Sequence, residues 1–224
     1  MTISTLLITI IKFCGVLLAL QLYRAGLVQL LLWVFSPGSS TAWDAISLLS
    51  FVVPALTVLA VFRPSRAALG FRLADSGPRE RVFSLAGTGL VLLLLVIGGA
   101  LAPEMTLANL SGVLVTPLCE ELLFRGWGWN RLCDTSGASV PLWWAFVVLT
   151  GLFALWHGGY TDMVIFRSAA LGHGLSSTGE MGRILFYKML VGGAVGVLTG
   201  LARMRSKTIF PGLVLHALWN VFGR

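Results

Sequence analysis

Charge is what this sequence has least of: Asp, Glu, Lys and Arg together make up 11% of its 224 residues. So little charge excludes the surface of an ordinary soluble protein. The basic residues behind the net charge of +7 stand mostly in short segments between apolar runs. Nowhere do they alternate with aromatics as in single-strand binders, so no nucleic-acid partner is expected. Cysteine is as sparse, and Cys14, Cys119 and Cys133 are too scattered for a disulfide framework or a zinc ribbon. The first residues have no basic stretch and no small-residue cleavage site, so Thr2 onward reads as a retained membrane helix. The longest polar connection is about 20 residues, too short to build a soluble core.

What is there is apolar. Hydrophobic residues make up 57% of the chain, and mean hydropathy is +0.89. Several runs reach the roughly 20 residues a helix needs to cross a bilayer. The expected fold is all-α, a polytopic transmembrane helix bundle of about seven spans: 4–35, 43–62, 82–102, 112–130, 140–157, 182–202 and 209 to the end. An eighth span arises if residues 4–35 fold back as a hairpin. The expected connections are 36–40, 63–81, 103–111, 133–139 and 158–181. Within one membrane domain, 1–111 would supply N-terminal helices and 112–224 a core that carries the polar residues. Gly192, Gly196 and Gly200 share a helix face that another helix can approach closely.

Lys and Arg in the loops set the orientation. Segments 63–81, 131–139 and 203–208 hold five, one and three, whereas 36–42, 103–111 and 159–181 hold none, none and one. The positive-inside bias then puts the N-terminus in the cytoplasm and the C-terminus outside. The expected location is a bacterial inner membrane.

Into this apolar chain the stretch Cys119-Glu120-Glu121-Leu122-Leu123-Phe124-Arg125 brings two carboxylates and a guanidinium. An ionisable group at membrane depth costs at least about 2.5–3.5 kcal/mol, so it marks a candidate functional site. Glu121 and Arg125 are four apart with the acid first, the favoured order for a same-face ion pair. Glu120 lies about 100° further round the helix and cannot easily share that arginine. A purely structural salt-bridge cluster is the bland alternative. Pro117, one turn before Glu120, should free a carbonyl near Val113 and bend the helix beside the site.

Two later spans bring in further polar groups. Phe153 and His157 share a face of the fifth, and His216 and Asn220 share a face of the last. Together these residue types suit amide hydrolysis. Glu120 would accept a proton from water and His157 would share or orient that water, while His216 and Asn220 offer N–H donors to a developing oxyanion. No His-Glu-x-x-His pair occurs, although Glu120, His157 and His216 could alternatively hold Zn²⁺ as two histidines and a carboxylate. Cys119 is a poor nucleophile because the adjacent carboxylate opposes a thiolate. No Gly-x-Ser-x-Gly elbow is present, and His173 reads as a loop residue.

In order and spacing, Glu120-Glu121-x-x-x-Arg125, Phe153-x-x-x-His157 and His216-x-x-x-Asn220 resemble the CAAX-protease and bacteriocin-processing family, over about residues 112–222. That family contains the type II CAAX prenyl endopeptidases. The resemblance implies a glutamate-dependent intramembrane endopeptidase without a cofactor. Glu120 and His157 would activate water, and His216 and Asn220 would form the oxyanion site, with Glu121, Arg125 and Phe153 in support. The implied partners are the lipid bilayer and a membrane-associated protein or peptide; the expected orientation, with the site between midplane and outer face, points further to a secreted protein with a hydrophobic C-terminal sorting tail. A non-proteolytic binder, as in bacteriocin immunity, is the alternative from another class. One inconsistency accompanies these boundaries. His157 would lie at the outer end of its helix and Glu120 roughly 12 Å below the outer start of its own, depths that differ by about 10 Å.

Overall fold

In the computed structural model the described residues are 3–35, 40–134, 141–170 and 178–223, and they form helices joined by short connections with no strand among them. Helix α1 (Ile3–Phe35) is one continuous helix of 33 residues, so the hairpin alternative does not form. At 1.5 Å per residue it exceeds a hydrocarbon core of about 30 Å and must tilt or protrude. Helix α2 (Ser40–Phe62) carries Pro54 inside it. Helix α3 (Pro78–Leu101) starts with proline in its first turn and Glu80 close behind, a favourable N-terminus.

Helix α4 (Pro103–Cys133) is an apolar stretch of 31 residues. It begins where the sequence suggested a loop over 103–111, because Pro103 and Thr106 open helical turns at once. Helices α5 (Leu142–Gly158) and α6 (Thr161–Ala170) follow, then α7 (Thr178–Ser206) and α8 (Phe210–Phe222). Helix α6 occupies part of the connection expected over 158–181. The connection at 36–39, most of that at 133–139, and His173 lie outside the described residues.

Six helical stretches are long and apolar enough to cross a membrane. The chain is an integral membrane protein. The seventh expected span, α8, has only 13 residues, about 20 Å of helix. It starts at Phe210, one residue from the expected start, and the residues just before it are bonded to the 63–77 segment. Ile209 N–H donates to the Gly70 carbonyl at 3.2 Å, and the Ser76 and Thr208 hydroxyls pair at 2.8 Å.

Many large apolar side chains point outward, among them Leu22, Trp33, Val96 and Leu101, as lipid-facing residues should. The buried core is compact and aromatic. Phe13, Phe124, Trp127, Phe153 and Trp156 gather where α1, α4 and α5 meet. Helix α7 lies close against α5 along its glycines. A Cβ on Gly192 would come within 2.5 Å of the His157 ring, and one on Gly200 within 2.7 Å of Phe146. The glycine face read from the sequence is the α5–α7 seam.

Candidate active site

The centre of α4 departs from α-helical winding twice. Leu110–Val115 and Leu122–Gly128 are π-helical and flank one short α segment, Thr116–Glu121. Such wide turns concentrate at functional sites because they shift which residues face a neighbour. Here the shift also moves the carbonyl that Pro117 leaves free. Thr116 N–H donates to the Ser111 carbonyl, five residues back. The next carbonyl, that of Gly112, would fall to the nitrogen of Pro117, which has no hydrogen. Asn220 supplies the missing donor, its Nδ2 lying 2.7 Å from the Gly112 oxygen. The freed carbonyl is thus Gly112 rather than Val113, because the winding is i→i+5 at that turn.

Glu121 is fully buried and faces Arg125, with Oε2 3.5 Å from Nε. Its Oε1 accepts from Nδ1 of His216 at 3.1 Å. Arg125 is held on two further sides. Its Nη2 donates to the Gly196 carbonyl at 2.9 Å, and its guanidinium lies 4.2 Å above the Phe153 ring.

Glu120 stands apart from the arginine but not alone. Its Oε1 accepts hydrogen bonds from the Tyr160 hydroxyl and from Trp156 Nε1. Trp156 Nε1 also donates to the Tyr160 oxygen. With Oε1 occupied, Oε2 is the remaining oxygen, and it lies 3.6 Å from Nε2 of His216.

His157 donates from Nδ1 to the Phe153 carbonyl at 2.8 Å, which leaves Nε2 as its acceptor nitrogen. The Phe153 ring stands edge-on to both His157 and His216, at centroid separations of 4.7 and 5.8 Å. A single buried phenylalanine therefore packs against two imidazoles and one guanidinium.

Glu120, His157, His216 and Asn220 all line one cavity of about 730 Å³. The depth inconsistency in the sequence disappears here. Helix α5 ends at Gly158, and His157 lines the same cavity as Glu120, so the two side chains stand at one level of the bundle. Among the described residues, no three His, Cys, Asp or Glu side chains are arranged to hold a metal.

Sequence reasoning passed over several residues here. Tyr160 and Trp156 touch Glu120, and behind them α1 supplies Gln21 and a fully buried Arg24. Arg24 grips Asp162 through both terminal nitrogens, Nη2 to Oδ1 at 2.6 Å and Nη1 to Oδ2 at 3.2 Å. Its Nη2 also donates to the Gly159 carbonyl at 2.8 Å. Gln21 donates to the Trp156 carbonyl at 2.9 Å and accepts from Arg24 Nε at 2.8 Å. The signal was present, since an arginine costs about 2.5–3.5 kcal/mol at membrane depth and needs a reason. What the sequence could not supply was the partner, 138 positions away.

With this geometry in hand, the comparison with known families is decisive. The family model for type II CAAX prenyl endopeptidases, Rce1-like, matches residues 88–222. The chain belongs to this family. It is accordingly an intramembrane CAAX-type endopeptidase, and its substrates are proteins met at the membrane. No curated protein and no solved structure gives a significant match. The family match includes every residue of the three motifs and leaves out α1, α2 and the first part of α3.

Proposed function

We propose that the protein hydrolyses a peptide bond near the end of a membrane-associated chain, using water activated by a glutamate. The observation that carries this reading is the shared cavity of Glu120, His157, His216 and Asn220. Water between Glu120 Oε2 and His157 Nε2 loses a proton to the carboxylate as its oxygen attacks the carbonyl carbon. The new oxyanion is met by the second N–H of Asn220, whose first is held by Gly112, and by Nε2–H of His216. This His216 donates from both ring nitrogens, Nδ1 to Glu121 and Nε2 into the cavity. As the C–N bond breaks, the proton on Glu120 passes to the leaving amine. Glu121 keeps His216 in register through Nδ1, and Arg125 offsets the second carboxylate charge.

The cavity also favours one direction of access. Its wall is formed by the start of α2 and α4, the end of α5 and α8, and the first turns of α7. All of these lie at the end of the bundle opposite the arginine-bearing 63–81 and 203–207 segments. If those segments face the cytoplasm, the cavity faces outward, and a hydrophobic C-terminal sorting tail of a secreted protein is the substrate class. Cleavage of a cytosolic prenylated tail requires the reverse orientation.

The test is incubation of the purified protein with two tethered substrates, a farnesylated CAAX-type peptide and an unprenylated hydrophobic tail, followed by mass spectrometry of the products. Cleavage should vanish in Glu120→Gln and persist with chelator. Loss of cleavage with chelator would instead favour zinc held by Glu120, His157 and His216. Retained function in cells carrying Glu120→Gln would favour the non-proteolytic binder.

A further inference from the structure

Helix α1 lies outside the family match, yet its half-buried Gln21 and buried Arg24 reach the turn that supplies the donors to Glu120. The end of α5 and the residue after it present carbonyls toward α1. Gln21 adds a second donor to that of Trp156, which also accepts the Gly159 N–H, and Arg24 takes that of Gly159 while fixing Asp162 in the first turn of α6. Between those anchors stands Tyr160, its ring 5.1 Å from the Arg24 guanidinium and its hydroxyl on Glu120 Oε1. Had α1 merely been glued to the bundle, apolar packing through Phe13 and Leu17 would suffice. The arginine is instead placed where it determines the course of the chain between His157 and Asp162.

We propose that Arg24 is a positioning residue for the active site, acting through Asp162 and Tyr160 to keep Glu120 Oε1 occupied so that Oε2 alone faces the reacting water. This deepens the proposed proteolytic role and rests on it for its kinetic consequence, but the geometry can be probed without turnover. With Tyr160 released, the carboxylate is free to rotate, and either oxygen can meet an incoming reagent.

Two measurements on the full-length protein in detergent test this. The first is the rate at which dicyclohexylcarbodiimide modifies Glu120, followed by peptide mass with Glu120→Gln as the blank. Tyr160→Phe should raise that rate about threefold or more, Arg24→Gln should do the same, and the double variant should go no further, as expected for residues acting in one network. The second is turnover of the farnesylated peptide, where kcat should fall about tenfold in each variant with KM nearly unchanged, the pattern of a lost transition-state contact. Arg24→Lys should recover part of the loss. Because removing a buried arginine can unfold the chain, Asp162→Asn, which keeps the shape and removes the charge, carries the same expectation. Wild-type labelling rates in Tyr160→Phe and Asp162→Asn overturn the proposal. So does a fall in kcat that is additive in the double variant. If no form cleaves the peptide while the labelling shifts as described, the positioning role stands and the proteolytic reading on this substrate falls.

Discussion

Asn220 donates its amide to the carbonyl of Gly112, 108 positions earlier, and so closes a gap that Pro117 and the π turn open together in α4. The bond ties the last helix to the π turn that precedes the segment bearing Glu120. It also means that one N–H of Asn220 is already engaged before any substrate arrives.

A double-mutant cycle follows from that relationship. Asn220→Ala should cost about 1–3 kcal/mol, because it strands a half-buried carbonyl. In a Pro117→Ala background the helix can supply its own N–H to Gly112, and the same substitution should cost about 1 kcal/mol less. Thermal unfolding in detergent measures both; equal costs in the two backgrounds would falsify the link between Pro117 and Asn220.

The two adjacent glutamates should separate cleanly in stability. Arg125→Met leaves Glu121 buried without its guanidinium and strands the Gly196 carbonyl, at a cost of about 3–5 kcal/mol. Glu120→Gln keeps an acceptor for Tyr160 and Trp156 and should change stability by about 1 kcal/mol or less. Denaturation curves that rank the two the other way round contradict the division of labour.

Glycine 192 offers a steric test. A methyl group there meets the His157 ring at 2.5 Å, whereas one on Gly193 meets only the Ala154 methyl at 3.6 Å. Gly192→Ala should reduce turnover about 10²-fold, a typical penalty for misplacing a reacting group. Gly193→Ala should be nearly silent. Comparable activity in both variants would show that the imidazole can shift without consequence.

Sidedness is accessible to single cysteines. Glu104→Cys lies in the exposed first turn of α4, at the cavity end, and Arg205→Cys replaces a side chain that is 75% exposed at the other end. With the basic segments inside, an impermeant maleimide added to intact cells should reach the first and miss the second. The opposite pattern would turn the cavity toward the cytoplasm and make prenylated cytosolic tails the substrate class.

Much of this protein is legible along the chain. Hydropathy places the long helices, and the acid-first spacing of Glu121 and Arg125 anticipates their pairing. Apolar periodicity says nothing of an i→i+5 turn, however, so the free carbonyl falls at Gly112 instead of near Val113, and the expected loop at 103–111 is helical because Pro103 and Thr106 open turns there. The position of α8 is legible to within a residue or two, but its ties to the Gly70 carbonyl and the Ser76 hydroxyl are not, because no local pattern connects it to that segment.

What the sequence determined by itself was therefore local: an apolar chain that must cover its backbone with helices in lipid, and polar groups spaced to share helix faces. Folding decided the rest. Which oxygen of Glu120 faces the cavity depends on Tyr160 and Trp156, and their placement depends on Arg24 of the first helix. Those choices are made by hydrogen bonds between distant segments, which water cannot replace inside a membrane.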